Sequence, residues 1–162
     1  MSSERFERRL VFFIGKGGVG KSCLSAAAAL AQARRGRRTL LVELAGTGKG
    51  HTFFGLEHET GYEPRRLMKG LPLYSCRITS KDALEEYGLI KLKLKALYRV
   101  VFENDFMRRL IDMVPGMTEL LVIGRVWYLA EQKERNGRPT WDRIVVDSPA
   151  TGHGLGMLRL PQ

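Results

Sequence analysis

Residues 10–22 read Leu-Val-Phe-Phe-Ile-Gly-Lys-Gly-Gly-Val-Gly-Lys-Ser, and this stretch decides the fold. The apolar run Leu10–Ile14 predicts a buried strand. Gly15 to Ser22 satisfies the spacing G-x-x-x-x-G-K-[ST], with Gly15, Gly20, Lys21 and Ser22 at the four fixed positions. The alanine-rich run from Ser22 to Arg35 predicts a helix leaving the loop. A strand, a glycine loop and a helix in that order form the setting in which such spacing marks a phosphate-binding loop.

The residue types follow from the chemistry. Glycines let the backbone curl so that its N–H groups face phosphate oxygens, with the positive end of the helix dipole beneath them. Gly15, Gly17, Gly18, Val19, Gly20, Lys21, Ser22 and Cys23 are the expected cofactor-binding residues, with Cys23 also serving helix packing. Lys21 is expected to reach the β- and γ-phosphates of ATP, and the Ser22 hydroxyl to ligate Mg²⁺. Lys16, directly after the first glycine, occupies a position that an ordinary loop of this type leaves free. From there a lysine can reach a nucleotide held by a partner subunit.

The rest of the chain bounds these expectations. At 162 residues it predicts a single domain able to bury roughly two-thirds of its unfolded surface. No apolar run approaches the roughly 20 residues of a membrane span. Met1–Arg9 is polar and lacks the apolar core of an export signal, so the expected location is cytoplasmic, with peripheral membrane contact left open. Cys23 and Cys76 are too few for a disulfide framework or a zinc cluster. The net charge of +10 invites nucleic acid. Its arrangement in scattered arginine pairs without interleaved aromatics argues against that partner. Arg34 and Arg35 instead suit a last helical turn, with Gly36 just past its end.

Thr39–Leu44 predicts a second buried strand, completing a βαβ unit whose crossover brings the glycine loop and the end of this strand to one edge of a parallel sheet. Leu71–Ile78 predicts a weaker strand with a proline at its start. Residues 80–135 predict a helical subdomain divided at Gly88 and at Pro115-Gly116. Leu89–Lys95 alternates with a strand period, yet its leucines and lysines favour helix. Met117, Leu120, Leu121, Gly124, Trp127 and Tyr128 recur at helical spacing as one apolar face, and Asn136-Gly137 turns the chain. Met107, Met113 and Met117 with Phe102, Phe106 and Leu110 are expected to pack a core, the alternative being an adaptable surface for an apolar partner helix.

A last strand, Arg143–Asp147, ends in an aspartate placed to hold Mg²⁺ through a water, opposite Ser22. The loop from Ser148 through Gly154 is expected to swing, its backbone N–H groups near Gly152 meeting or losing the γ-phosphate.

At this point the chain resembles the deviant phosphate-loop ATPases, the family of the arsenite-pump ATPase and of the ATPase that targets tail-anchored proteins. The loop Gly15–Ser22 with its additional Lys16 is similar to the family's loop. Asp147-Ser148-Pro149-Ala150-Thr151-Gly152-His153 is similar to its D-[ST]-x-P-T-G-H switch with one position changed. The likeness covers about residues 10 to 160 and is greatest to the bacterial ArsA-like, anion-transporting branch. It implies an α/β fold, a mostly parallel sheet flanked by helices with a helical insert. It also implies a nucleotide sandwich, either a homodimer or a heterodimer with a related ATPase, in which Lys16 acts catalytically on the partner's ATP beside Lys21.

Two departures stand out. The family's water-orienting aspartate after the second strand falls on Ala45, and Glu43 could take its place only if the strand ended before it. The family also continues past the second switch, so a sequence that stops at Gln162 reads as a first half with an incomplete sheet. Three functions fit. One is a dimeric ATPase that handles a client protein, apolar helix, metalloid anion or membrane partner. The second is a nucleotide-gated regulatory subunit with little hydrolysis. The third is a positioning ATPase of the partitioning type.

Overall fold

The structure, a computed structural model, describes residues 8–44, 50–56, 60–92 and 116–150, with backbone alone for 87–92 and 118. Its elements in chain order are β1 (Leu10–Gly15), α1 (Lys21–Arg34), β2 (Thr39–Leu44), a 3-10 turn (Gly50–Phe54), β3 (Arg65–Arg66), β4 (Leu73–Ile78), α2 (Ser80–Leu92), α3 (Met117–Glu131) and β5 (Arg143–Ala150). The sheet order is β1-β5-β2-β4-β3. All neighbours run parallel except the two-residue β3, which pairs antiparallel with β4. This is the α/β architecture of a phosphate-loop nucleotide-binding fold.

Side-chain alternation divides the sheet between two cores. On one face Leu41, Leu73 and Val145 pack against Ala26, Ala29 and Ala33 of α1. Three alanines at helical spacing keep α1 close to the strands and cost little side-chain entropy. On the other face Leu40, Val42, Leu44, Ile144 and Val146 pack against Ala83 of α2 and Val122, Val126, Leu129 and Ala130 of α3. Every residue of β2 is buried, as expected of a central strand covered on both faces. Pro72 precedes β4, and its carbonyl accepts from the Thr39 N–H at 2.9 Å, so the proline sits where no N–H is needed.

Helix ends follow their sequence signals. At the end of α1 the Gly36 N–H donates to the Ala33 carbonyl (2.9 Å) and the Arg37 N–H to that of Gln32 (3.3 Å). Gly36 at φ 79° permits this reversal, and Arg34 occupies the last turn as expected. Asn136-Gly137 turns the chain back toward β5, with Gly137 at φ 78°.

Several expectations are corrected. Gly88 does not divide the helices, because α2 runs through it to Leu92; one interior glycine costs only about 1 kcal/mol. Leu89–Leu92 are helical as read, while Lys93–Lys95, Met107, Met113, Phe102, Phe106 and Leu110 lie outside the described residues. Of the apolar face assigned to α3, Leu121 packs against the core but most of the rest does not. Leu120, Trp127 and Tyr128 are exposed, whereas Val122, Val126, Leu129 and Ala130 are buried. The helix is apolar nearly all round, so spacing alone could not choose its inner face. Arg125, its one central charge, is buried, paired with Glu86 and Glu63 and stacked 4.4 Å from the Tyr62 ring. Among the described residues no helix is long and apolar enough to cross a membrane.

Two measurements check this packing. Leu129→Ala should cost about 2–5 kcal/mol in denaturant unfolding, whereas Trp127→Ala should stay within about 0.5 kcal/mol; equal costs would contradict the orientation of α3. Burial in β4 pushes the Cys76 thiol up to about 12, while Cys23 is exposed. A thiol reagent at pH 8 should therefore titrate a single cysteine in the native chain and both in denaturant.

Candidate functional site

The phosphate loop emerges from the sheet where β5 separates β1 from β2. Parallel pairing sets Asp147 beside Phe13 of β1 and beside Glu43 of β2. Between Phe13↔Asp147 and Gly15↔Ala150 the register slips, so β5 carries one residue more than β1 over this stretch. Such a bulge bends the strand and re-aims its side chains at a sheet edge. Ser148, Pro149 and Ala150 are accordingly strand rather than loop. Pro149 lies beyond the last β2–β5 pair, where its missing N–H costs no ladder bond. Thr151–Gly154, including the predicted Gly152, lie outside the described residues, as does Ala45.

Gly18 and Gly20 hold φ values of 77° and 83°, a backbone that residues with a Cβ rarely adopt. Gly20 is the N-cap of α1 and offers no side-chain cap, and no acid occupies the first turn. The helix therefore presents its first N–H groups and its positive dipole end to the loop uncompensated. Lys21 Nζ donates to the Lys16 carbonyl at 2.8 Å, closing the loop on itself.

The structure brings Gly17, Gly18, Gly20, Lys21, Ser22 and Cys23 together around a cleft of about 390 Å³, with Phe53, Ser148, Pro149 and Ala150 as its other walls. Gly15 sits beneath, at the strand end, where a Cβ would meet Val19 Cγ2 at 3.4 Å. Val19 is 64% exposed and is absent from the lining. Lys16 is exposed and likewise stands outside it. The Cys23 thiol is not packed in the helix interface as expected; it is exposed and faces the cleft, because α1 turns its alanines, not this position, to the sheet.

Beneath the cleft lie two buried acids. Asp147 is 1% and Glu43 2% exposed. Neither Asp147 oxygen, nor Glu43 Oε1, nor the Ser148 hydroxyl has a well-formed hydrogen bond. Burial pushes the Asp147 carboxyl up, opposed by the Ser22 hydroxyl and the Lys21 ammonium. Burial likewise pushes Glu43 up, with His51 pulling it down and Asp147 adding to the rise. Glu43 does not line the cleft, and β2 continues past it to Leu44, so it does not meet the condition for replacing a water-orienting aspartate.

A divalent cation suits this chemistry. The buried Asp147 carboxylate, without a well-formed hydrogen bond and facing the Ser22 hydroxyl, offers hard oxygen donors for such an ion. Among the described residues no cluster of three His, Cys, Asp or Glu side chains gathers to cage a metal. Mg²⁺ keeps waters and phosphate oxygens and takes few protein ligands, so one hydroxyl and one carboxylate fit it. Pro149 and Ala150 belong to the stretch expected beside the γ-phosphate, whereas Phe53 was not expected in the cleft. Its one signal was an apolar side chain close after a glycine-rich connection, a weak one.

Comparison with known proteins agrees with this edge. The sequence is 31% identical over 153 residues to ATPase BagA of Mycobacterium tuberculosis, covering 89% of this chain and 43% of that protein. It is 28% identical over 156 residues to a putative arsenical pump-driving ATPase of Prosthecochloris vibrioformis, covering 94% and 36% respectively. The arsenical pump-driving ATPase of Acidiphilium multivorum is 27% identical over 153 residues, covering 93% and 25%. The chain thus spans less than half the length of these relatives. With the sequence model described as anion-transporting ATPase matching residues 8–162, the chain belongs to the anion-transporting ATPase family.

Proposed function

We propose that this chain binds ATP and Mg²⁺ at the glycine-loop cleft and works as one subunit of a pair that hydrolyses ATP between its members. The observation that carries the reading is the convergence of Lys21, Ser22 and the unpartnered, buried Asp147 beneath a loop that aims helix N–H groups outward. Gly17, Gly18 and Gly20 cradle the phosphates through backbone N–H groups, and Gly152 is proposed to join them. Lys21 leaves the Lys16 carbonyl to meet phosphate oxygens. Ser22 and Asp147 would hold Mg²⁺, whose charge neutralises the β- and γ-phosphates.

The pairing draws on two features. Lys16 is exposed and does not line its own cleft, which suits a lysine donated across an interface to stabilise charge on the transferred phosphoryl group. Val19 and Leu24, 64% and 55% exposed, flank the loop with apolar surface that a second subunit would cover. A homodimer and a heterodimer with a related ATPase both fit. For the client, an apolar helix fits better than a metalloid anion, because Cys76 is locked in the core and leaves Cys23 as the accessible thiol among the described residues.

A nucleotide-gated subunit with little turnover is the second reading, and the burial of Glu43 favours it. That acid cannot reach an attacking water, and Ala45 brings no carboxylate.

Measuring ATP binding and phosphate release together separates the two. If the paired ATPase is right, Lys16→Ala keeps ATP affinity but loses about 10³-fold or more in phosphate release. Tight binding with negligible release by the wild type favours the gated subunit, and no binding of ATP refutes both. Asp147→Asn should abolish the dependence of ATP affinity on Mg²⁺. The raised Asp147 carboxyl also makes the native chain lose stability as pH rises above about 4, since the folded state there holds more protons than the unfolded. The thermal midpoint of the nucleotide-free Asn variant relative to wild type should therefore increase between pH 4 and pH 8.

A further inference from the structure

A leucine in place of Glu43 would complete the wholly buried β2 without any desolvation cost. Alternation along β2 sends Glu43 to the face of Leu41 and α1, opposite Leu40, Val42 and Leu44. What meets its carboxylate there is the start of the Gly50–Phe54 turn. A Cβ at Gly50 would lie 3.0 Å from Glu43 Cδ and overlap Oε1, so the turn's backbone rests directly on the acid. Gly50 does not have a positive φ; the close approach is what requires glycine. His51, itself 6% exposed, sets Nδ1 3.7 Å from Glu43 Oε2.

The turn has a second anchor. Phe54 and Leu56 pack into the α1-side core with Leu41 and Ala29. The Gly55 N–H donates to the Thr52 carbonyl (3.1 Å) and the Leu56 N–H to that of His51 (3.4 Å), closing the segment. Phe53 falls between the polar anchor at Gly50-His51 and the apolar one at Phe54-Leu56. It is 55% exposed, and it lines the phosphate-loop cleft together with Pro149 and Ala150.

We propose that Glu43 is a positioning residue: with Gly50 and His51 it latches this turn to the sheet and thereby sets Phe53 as an apolar wall of the nucleotide cleft. The proposal rests on the reading of that cleft as an ATP site. Phe53 excludes water from the phosphate end, which strengthens the attraction between the anion and the loop's N–H groups by lowering the local dielectric. Glu43 touches neither nucleotide nor cation; its carboxylate faces the turn and not the cleft.

The test is a cycle of variants of the 162-residue chain, read by the affinity for a fluorescent ATP analogue with Mg²⁺. Phe53→Ala and Gly50→Ala should each weaken binding about tenfold, and the double variant should be no weaker than either alone, because the latch acts only through Phe53. Glu43→Gln, which keeps shape and hydrogen bonding, should bind better than Glu43→Ala. Phe53 is exposed, so Phe53→Ala leaves the fold intact and is decisive even if Gly50→Ala does not fold. Unchanged affinity in Phe53→Ala, or additive losses in the double variant, overturns the latch while leaving the ATP site standing. A wild-type chain that does not bind the analogue overturns the ATP reading and the latch with it.

Discussion

The phosphate-binding edge depends on the insertion of β5 between β1 and β2. Parallel hydrogen bonding sets the register, and the register sets Asp147 level with Phe13 on one side and Glu43 on the other. Two acids on adjacent strands then point to the same face, under α1, with water excluded by the helix. Burial pushes both carboxyls up, and the charge of Asp147 adds to the rise at Glu43.

The two faces of the sheet solve packing in different ways. Under α1, alanines bring the helix close and leave its N-terminus free to face the loop. Under α2 and α3, larger side chains fill the space, and polar networks border the core. Arg125 pairs with Glu86 and Glu63, and the Tyr62 hydroxyl donates to Glu86 at 2.6 Å. Arg38 lies 5.0 Å from the Trp141 ring and 5.3 Å from that of Tyr74, and pairs with Glu134 at 2.6 Å. Each guanidinium is flanked by rings and acids, which offsets the cost of removing it from water. The face under α1 carries the chemistry, and the other provides the support.

Much of this was legible beforehand. The loop, the strands before and after α1, the Gly36 cap and the Asn136-Gly137 turn all follow from local rules, because each depends on residues a few positions apart. The failures share a cause. Spacing could not tell which side of α3 faces inward, since a helix apolar all round is oriented by what it meets. Pro149 reads as a loop residue until β2 is seen to end before it. Gly50 reads as one more flexible glycine, and only the Glu43 carboxylate lying against it shows that it is there for space.

By itself the sequence determined the phosphate loop, its flanking strand and helix, and the aspartate of the last apolar strand, because phosphate chemistry demands particular residues at short fixed spacings. Only the tertiary structure decided which groups, Cys23 among them, share the cleft with that loop, that Glu43 is sealed beneath a turn and not offered to water, and that Lys16 stands outside the cleft. The first depends on strand order and on the bulge in β5, and the second on the Gly50–Phe54 turn closing over β2. The pairings of β5 with β1 and β2 join segments more than a hundred residues apart, which no local pattern encodes.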